Sequence, residues 1–513
     1  MASIEFGMLA AVRSAAVLGI DAYDVIVEVD ATQGLPQWTI VGLPLGAVKE
    51  SRERVGSALV NSGFTLPPRR ITINLAPADV RKDGTAFDLP IALGVLVATG
   101  QLPPSAVHAR VFVGELGLDG SVRSIRGALS IARRATCHSQ SCELIVPQAN
   151  VAEARRLTSL RIAAPLTLRE LAAELQSGTL STACEANALA VHEDCLLDFS
   201  DVVGQQTAKR ALEVAAAGCH NLSMTGPPGA GKTMLARRLP GILPQLSESE
   251  SLEVIAIQSV AGVLPSDVPA VCPRPFRAPH HTISSAGLIG GGSTPRPGEV
   301  SLAHHGVLFL DEMLEFPRSV LEGLRQPMED GRVIISRAAM SVAFPARFTL
   351  IGATNPCPCG RLGDGTSACA CSAVDVTRYA KKMSGPLADR IDMHVTVGRV
   401  ALSDLSAVNN EESSLDIRDR VGRARARQTL RYARLAGVGC NAHAAGRWID
   451  AHGGITSEAR SMLHRAAVGL SLSARGYHRV LKVARTIADL DESSSVSTAH
   501  VAEALRYRQT TAS

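Results

Sequence analysis

Residues Gly226–Thr233 have the types and the spacing of a loop that holds nucleotide phosphates. Their sequence, GPPGAGKT, fits the pattern G-x-x-x-x-G-K-T, in which glycines let backbone N–H groups approach phosphate oxygens. Lys232 is placed to reach the β- and γ-phosphates, and the Thr233 hydroxyl to ligate Mg²⁺. The flanking residues predict a strand over 220–225 and a helix over 234–239. The predicted phosphate-binding residues are Gly226, Pro227, Pro228, Gly229, Ala230, Gly231, Lys232 and Thr233.

Two carboxylates follow an apolar run farther along the chain. Residues 307–310 read Val-Leu-Phe-Leu and predict a buried parallel strand, so Asp311 and Glu312 lie at its carboxyl end, where open α/β sheets place their sites. We expect Asp311 to hold Mg²⁺ through water and Glu312 to activate the attacking water as general base. A second apolar strand over 348–354 ends at Asn355, whose amide is expected to orient that water or contact the γ-phosphate. These residues predict hydrolysis of ATP or GTP.

Further segments resemble the AAA+ ATPases, and within them the magnesium-chelatase branch. The resemblance is to the Mg-chelatase-like ComM/YifB family and extends over essentially the whole chain. The segments that carry it are GEVSLAHHG (298–306), QPMEDGR (326–332), APHHT (278–282), NPCPCG (355–360) and VARTIADL (483–490). The resemblance implies ATP and Mg²⁺ as substrate and cofactor, and a homo-hexameric ring as the working assembly.

The resemblance also implies roles for residues outside the phosphate loop. Gly204 and Gln205 match the segment that contacts adenine in this superfamily. Arg390 matches the region of the arginine finger, whose permanent charge acts on the nucleotide of the adjacent subunit. Arg475 matches the sensor 2 helix, with Arg479 as the alternative, and either arginine could instead pair with a surface carboxylate. The implied catalytic residues are Glu312, Asn355, Arg390 and Arg475.

The chain is expected to belong to the α/β class and to contain three domains. Residues 1–175 resemble a Lon-protease-like α+β domain, and 176–197 are a polar linker without a sustained period. Residues 198–399 resemble a P-loop AAA+ α/β core of the Mg-chelatase type. Residues 400–513 are expected to form the C-terminal helical lid, the Mg-chelatase C-terminal domain. At 513 residues and 46% hydrophobic composition, the chain is long enough for several cores.

The first domain resembles a protease that has lost its chemistry. Residues 24–30 and 37–41 predict strands that pair with each other. The position of the nucleophilic serine is occupied by Ala86, and that of the partner lysine falls near Leu129. The adjacent Thr85 is a weak nucleophile without an amine of depressed pKa. We therefore expect an inactive Lon-like domain that serves assembly or faces DNA.

Three arginines lie in loops that suit contact with a polymer. The stretch between the phosphate loop and the acidic strand is long enough to imply an insertion, which contains Arg277. Residues 331–337 alternate like one arm of a hairpin and carry Arg332 and Arg337. Guanidinium groups bind phosphates regardless of sequence, so we predict that these three contact DNA. Pairing with neighbouring subunits is an equally open interpretation.

A stripe of arginines recurs at helical spacing near the C-terminus and shares one helix face. Such a stripe is typical of a solvated or subunit-contacting face, and nucleic acid is the alternative. The stripe consists of Arg420, Arg423, Arg427, Arg431 and Arg434.

Two C-x-C pairs flank a glycine-rich loop. Four thiolates brought together in this way suit tetrahedral Zn²⁺, although the spacing within each pair is shorter than usual. A reduced loop without metal is the equally open alternative. His304 and His305 are adjacent, so we expect them to face apart and they need not share a metal. They are expected to line the subunit interface or the edge of the nucleotide site. The possible zinc ligands are Cys357, Cys359, Cys369 and Cys371.

Composition and charge restrict the location and the partners. The net charge of +4 provides no global field for a polyanion. The start of the sequence lacks the pattern of a signal peptide, every apolar run is too short to span a membrane, and the 11 scattered cysteines suit a reducing compartment. We expect a cytoplasmic protein without a membrane partner.

The resemblance implies an ATP-driven ring motor that acts on branched or single-stranded DNA. Branch migration in recombination, or in strand integration of the natural-transformation type, is the expected activity. The alternative is a chelatase-like ATPase that remodels a metal-insertion partner protein, for which an acidic docking tract is missing from the sequence. Proteolysis is a third hypothesis, and the missing serine and lysine oppose it.

Overall fold

The computed structural model describes the chain in ten stretches. No helix within them combines the length and the apolarity that crossing a membrane requires. The described residues are 9–137, 142–157, 160–183, 197–265, 272–292, 295–337, 340–363, 368–383, 385–400 and 411–508.

The front part of the chain forms a mixed seven-stranded sheet in the order β3-β4-β2-β1-β5-β8-β9, beside a small β6-β7 ladder. Its strands are β1 (Ala10–Leu18), β2 (Asp21–Thr32), β3 (Gln37–Val41), β4 (Arg70–Ala76), β5 (Arg110–Phe112), β6 (Glu115–Leu116), β7 (Val122–Arg123), β8 (Glu143–Ile145) and β9 (Arg161–Ala163). Its helices are α1 (Gly46–Lys49), α2 (Ser51–Asn61), α3 (Asp88–Ala98), α4 (Ala128–Ala135), α5 (Val151–Ala154) and α6 (Leu168–Ser177).

The predicted pairing of residues 24–30 with 37–41 is wrong, because β4 lies between these two strands. β2 pairs antiparallel with β4, where Val29 lies opposite Ile73. β3 pairs parallel with the other edge of β4, where Ile40 lies opposite the same Ile73. Alternating burial identifies a strand correctly, but it carries no information about which strand lies alongside.

The middle of the chain forms an all-parallel five-stranded sheet in the order β11-β14-β17-β10-β18. Two antiparallel hairpins, β12-β13 and β15-β16, accompany it. The strands are β10 (Leu222–Thr225), β11 (Phe276–Arg277), β12 (Gly290–Gly291), β13 (Arg296–Pro297), β14 (Val307–Leu310), β15 (Arg332–Arg337), β16 (Met340–Pro345), β17 (Thr349–Thr354) and β18 (Met393–Thr396). The helices are α7 (Gln206–Gly218), α8 (Lys232–Ile242), α9 (Glu248–Ala261), α10 (Ser285–Ile289), α11 (Glu299–Leu302), α12 (Arg318–Gly323), α13 (Arg325–Asp330), α14 (Ala373–Ala380) and α15 (Gly385–Ala388).

This parallel sheet confirms the strands that were predicted around the site. β14 covers the expected residues 307–310 and is buried throughout, while β17 is buried along its whole length and ends at Thr354. Runs that are apolar on both faces are typical of parallel strands covered by helices on both sides. The carboxyl ends of β10, β14 and β17 therefore meet at one edge of the sheet, where the phosphate loop begins.

The C-terminal part is helical and packs against the parallel sheet domain through a shared apolar core. Its helices are α16 (Ser414–Tyr432), α17 (Gly446–His452), α18 (Ser457–Gly469), α19 (Ala474–Leu490) and α20 (Thr498–Arg506).

Four of the five arginines of the stripe lie on α16, which ends at Tyr432, before Arg434. Carboxylates of the same chain pair with these four. Arg420 pairs with Glu213 of α7 and with Glu412. Glu492 accepts from both Arg423, at 2.8 Å, and Arg427, at 3.1 Å. Asp489 pairs with the fourth member of the stripe, Arg431. These ion pairs dock the helices to one another and leave little free charge on the stripe for nucleic acid.

The front domain contacts the domain of the parallel sheet through α4 and α9. Leu129 packs against Val254 and Ile255 of α9. Behind them the buried Ser259 hydroxyl accepts from the Gly127 N–H at 2.8 Å and donates to the Glu153 carboxylate. Burial raises the pKa of Glu153, and the hydrogen bond from Ser259 opposes that effect. The junction is therefore both apolar and hydrogen-bonded.

Ser259→Ala tests how much this buried hydrogen bond contributes. The substitution removes the partner of a buried carboxylate and of a buried N–H, so we expect the free energy of unfolding to fall by about 1–3 kcal/mol. Urea unfolding followed by fluorescence measures the change. Ser249→Ala, on the exposed start of the same helix, is the control and should be nearly neutral; equal effects of the two would contradict the assignment.

Candidate nucleotide site and its surroundings

The phosphate loop runs from the end of β10 into α8. Gly229 and Gly231 have φ of +77° and +87°, the left-handed region that glycine adopts without cost. At Gly229 the place where a side chain would begin is free of other atoms within 4 Å, whereas at Gly226 a Cβ would lie 2.1 Å from the Val397 carbonyl oxygen. The loop backbone therefore borders open space on one side and packs tightly on the other, as a phosphate cradle requires.

The Lys232 ammonium is buried inside the loop. It donates to the carbonyl oxygens of Gly226 at 2.5 Å and Pro227 at 3.0 Å, and to Asn355 Oδ1 at 3.2 Å. Burial lowers the pKa of Lys232, while the charge of Asp311 raises it. The fold thus places the amine, an acidic strand end and the Asn355 amide around one small space.

Thr233 and Asp311 are already joined. The Thr233 hydroxyl donates to Asp311 Oδ2 at 2.7 Å, and Asp311 Oδ1 accepts from the Glu312 N–H at 3.0 Å. A hydroxyl and a carboxylate oxygen are the kind of ligand that Mg²⁺ takes, so the residues fit the ion. Glu312 itself has a left-handed φ of +48°, and its Oε2 lies 4.0 Å from His281 Nδ1, a neighbour to which the sequence interpretation gave no role at the site.

Gly204 and Gln205 are tied to the same loop. The Gln205 side-chain amide donates to the Ala230 carbonyl at 3.3 Å and to the Gly398 carbonyl, just after β18, at 2.6 Å. The Gly204 N–H donates to Glu411 Oε1 at 2.8 Å. The segment matched to adenine contact therefore borders both the phosphate loop and the end of the outermost strand.

Arg390 lies at the opposite edge of the sheet. It precedes β18, whose first residue, Met393, pairs in parallel with Leu222 at the start of β10. The phosphate loop begins only after the four residues of β10, about 13 Å farther along. Arg390 donates to the Pro386 carbonyl and pairs with Glu329 of α13. Its guanidinium is thus held away from the phosphate loop of its own chain.

Arg475 shares that carboxylate. Its guanidinium lies 3.9 Å from Glu329, and its side chain is 65% exposed. Arg479, the alternative, is only 14% exposed and lies 3.3 Å from Asp392. The structure therefore brings the finger and sensor 2 candidates together on Glu329. The sequence interpretation gave this residue no role, because acidic residues at the end of a helix carry no chemical signature of their own.

The three predicted DNA-contacting arginines have different surroundings. Arg277 is bound by Glu299 at 2.6 and 2.8 Å, so its charge is largely neutralised inside the chain. Arg332 starts the β15-β16 hairpin, is exposed, and has no ion-pair partner among the described residues. The hairpin forms as predicted, but the side chain of Arg337 lies outside the described part of the chain.

The four cysteines of the C-x-C pairs come together beside the phosphate loop. Their sulfur atoms all lie within 4.8 Å of one another, and the shortest separations, 3.4–3.6 Å, approach the edge of about 3.8 Å in a zinc–thiolate tetrahedron. A Cβ at Gly360, inside this loop, would lie 2.7 Å from Pro228. The cysteine group therefore packs directly on the phosphate loop.

His304 and His305 do not face apart, and that prediction is wrong. Both Nε2 atoms lie within 3.0 Å of Glu253 Oε2, and the ring centroids are 3.9 Å apart. The reason is the left-handed backbone of His305, with φ of +56°, which turns its ring to the side of its neighbour. A backbone inversion of this kind has no signature in the sequence.

The residues of the front domain that resemble the active region of Lon-type proteases make other contacts. The Thr85 hydroxyl donates to the Glu115 carboxylate, and the buried Lys82 ammonium donates to the Pro77 carbonyl. Leu129, at the expected lysine position, packs against α9 as described above. The residues that match protease positions thus contribute to packing and to the contact between domains.

Three family descriptions match this chain in succession. "Subunit ChlI of Mg-chelatase" matches residues 27–150, "Magnesium chelatase, subunit ChlI" matches 198–405, and "Magnesium chelatase, subunit ChlI C-terminal" matches 411–508. Together with the parallel sheet and the helical C-terminal part, they confirm the expected α/β class.

Similar proteins cover nearly the whole length of the chain. The competence protein ComM of Haemophilus influenzae is 42% identical over 506 residues, 98% of this chain and 97% of its own. The YifB protein of Escherichia coli is 41% identical over 506 residues, with the same coverage. Lon protease 2 of Bacillus subtilis is 30% identical over 181 residues, 31% of this chain and 33% of its own. The chain therefore belongs to the Mg-chelatase-like ComM/YifB family of AAA+ ATPases.

Proposed function

We propose that this ATPase is a ring-forming motor that acts on DNA and drives branch migration during recombination or strand integration. The observation that carries the proposal is the position of Arg390, at the edge of the sheet opposite to its own phosphate loop. An arginine that completes a nucleotide site from there serves a second copy of the chain. Hydrolysis is then coupled between subunits, as translocation along a polymer requires.

Within one subunit, the residues at the carboxyl edge of the sheet divide the hydrolytic work. When bound, Mg²⁺ neutralises phosphate charge and polarises the phosphoryl group. Thr233 and Asp311 hold the ion, and Lys232 binds the β- and γ-phosphates when ATP displaces its contacts to the loop carbonyls. Glu312 takes the proton of the attacking water, and Asn355, which already reaches Lys232, orients that water.

The neighbouring subunit supplies permanent positive charge. Arg390 and Arg475 share Glu329, so both belong to the face that meets the next nucleotide. A bound γ-phosphate competes with Glu329 for these guanidinium groups. Arginine suits this role because its charge persists at every physiological pH. Glu329 thus holds the two arginines ready while the neighbouring site is empty.

Contact with DNA is proposed for the β15-β16 hairpin, through Arg332 and Arg337. Arg332 supports this, since it is exposed and has no ion-pair partner in the described part of the chain. A phosphate contact suits movement along any sequence. The hairpin also contacts the front domain, since a Cβ at Gly19 would lie 3.2 Å from the Ala343 carbonyl oxygen. Arg277 contributes only if DNA displaces Glu299. The name of the Haemophilus relative, a competence protein, supports incoming strands as the substrate.

We also propose Zn²⁺ for the group Cys357, Cys359, Cys369 and Cys371. The sulfur separations support this, since three of them are 3.4–3.6 Å and all four sulfur atoms lie within 4.8 Å of one another. A metal there would stiffen the loop that follows Asn355 and packs on Pro228.

Glu312→Gln separates nucleotide binding from hydrolysis. The amide keeps the size of the side chain but accepts no proton, so we expect ATP turnover to fall at least about a hundredfold while ATP affinity is retained. Phosphate release and equilibrium binding of a fluorescent ATP analogue measure the two quantities. Lys232→Ala is the control that should lose binding as well. Normal turnover by Glu312→Gln would remove it from the role of base.

Mixing two inactive variants tests the shared site. Arg390→Ala should lower turnover by about a thousandfold or more and leave ATP binding intact. Lys232→Ala retains Arg390 but binds no ATP. We expect their mixture to regain activity, because one variant supplies the phosphate loop and the other the finger. Arg318→Ala, a surface arginine paired with Glu322, is the control. A mixture that stays inactive would contradict action between subunits.

A labelled four-way DNA junction tests the proposed substrate. With ATP and Mg²⁺ the protein should convert the junction to duplex products, and DNA should stimulate its ATP turnover. Arg332→Ala is expected to reduce both several-fold without changing turnover in the absence of DNA, because it removes a phosphate contact. If neither junction movement nor stimulation occurs while ATP turnover persists, the chelatase-like alternative, remodelling of a partner protein, becomes the better hypothesis.

A further inference from the structure

A second cluster of cysteine side chains lies where the domain of the parallel sheet meets the C-terminal helices. Cys219 directly follows α7, three residues before β10, while Cys440 and His443 lie at the 3-10 turn Asn441–His443 between α16 and α17. The two sulfur atoms and a ring nitrogen of His443 lie within 4.8 Å of one another, and Cys440 Sγ is 3.1 Å from His443 Nδ1. Two thiols and an imidazole are a set of ligands that Zn²⁺ takes in proteins.

We propose that Cys219, Cys440 and His443 bind a thiophilic divalent cation of the Zn²⁺ type, with water in the fourth position. Cys219 and His443 line a cavity of about 380 Å³. The cavity provides a path for the ion to enter and space for the water. With three protein ligands and one open position, the site differs in kind from the four-cysteine group beside the phosphate loop.

The charges around the three ligands suit a cation bound by thiolates. Arg425 borders the two thiols and donates to the Ala216 carbonyl at 3.2 and 2.9 Å. The thiolate is the form of cysteine that ligates metal, and metal binding releases the thiol proton. Two thiolates balance a divalent ion, so binding leaves the guanidinium as the one net charge of the cluster.

The neighbouring group of Glu253, His304 and His305 shows the contrast. It has similar spacing and lines the same cavity, but the Arg347 N–H donates to His304 Nδ1 at 2.9 Å. That nitrogen is therefore unprotonated, and the proton of the neutral ring lies on Nε2, facing Glu253. A protonated nitrogen cannot ligate a metal, so this group remains a hydrogen-bonded cluster. Cys440 and Cys219 carry no such restriction.

Binding at this site would join two parts of the motor. Cys219 is one residue before His220 and three before β10, which leads into the phosphate loop. Cys440 and His443 belong to the C-terminal helices, whose arginine candidates act on the nucleotide. An ion held by both sides ties these helices to the sheet domain, and its binding free energy adds to the stability of that contact.

Cobalt provides the direct test, because Co²⁺ bound by thiolates absorbs in the near ultraviolet in proportion to the number of Co–S bonds. The full chain is stripped with a chelator under reducing conditions and titrated with Co²⁺ and then Zn²⁺. We expect Cys219→Gly and Cys440→Ser each to bind one ion fewer than the unchanged protein. Cys272→Ser, a buried cysteine outside both groups, should bind the same number.

Cys219→Gly protects the test against misfolding, since Cys219 has a left-handed φ of +57° that glycine adopts more easily. In chelator, this variant and the unchanged protein should have the same melting temperature. Added Zn²⁺ should raise the melting temperature of the unchanged protein by several degrees more than that of the variant. An unaltered ion count in both cysteine variants would overturn the proposal. A reducible Cys219–Cys440 disulfide found in place of bound metal would do so as well.

Discussion

The direction of the five parallel strands is the constraint on which the rest of the structure depends. Parallel strands place all their carboxyl ends at one edge, and there the phosphate loop, Asp311 and Asn355 converge within hydrogen-bond distance. The same rule places Arg390, three residues before the start of β18, at the other edge. Our proposal that a second copy of the chain completes the hydrolytic site rests on this separation.

Ion pairs between distant segments hold this arrangement in place. Most of the arginine stripe on α16 is used to dock the C-terminal helices, through Glu213, Glu492 and Asp489. The carboxylates of Glu213 and Asp489 are buried, so removing their arginine partners would leave a buried charge without compensation. The pairs of Glu492 are exposed and contribute less. Glu329 differs from these carboxylates, because it is half exposed and contacts two arginines, Arg390 and Arg475.

The front domain uses one of the positions that resemble Lon-type catalytic positions for a contact between domains. Its seven-stranded sheet packs on the buried helix α3, and the positions that resemble a protease nucleophile and its lysine are Ala86 and Leu129. Leu129 packs on α9, so this surface joins two domains. The contact of Gly19 with the β15-β16 hairpin adds a second junction, close to the segment we propose for DNA.

The sequence by itself determined the strands and loops whose chemistry is local. GPPGAGKT, the Val307–Leu310 strand and the strand before Asn355 are recognisable because periodicity and motif spacing act over a few residues. Tertiary structure alone decided which strand lies beside β3, that His304 and His305 share one carboxylate, and that Cys219 meets Cys440. Those contacts depend on left-handed backbone positions and on the packing of segments far apart in the chain, and neither leaves a periodic pattern in the sequence.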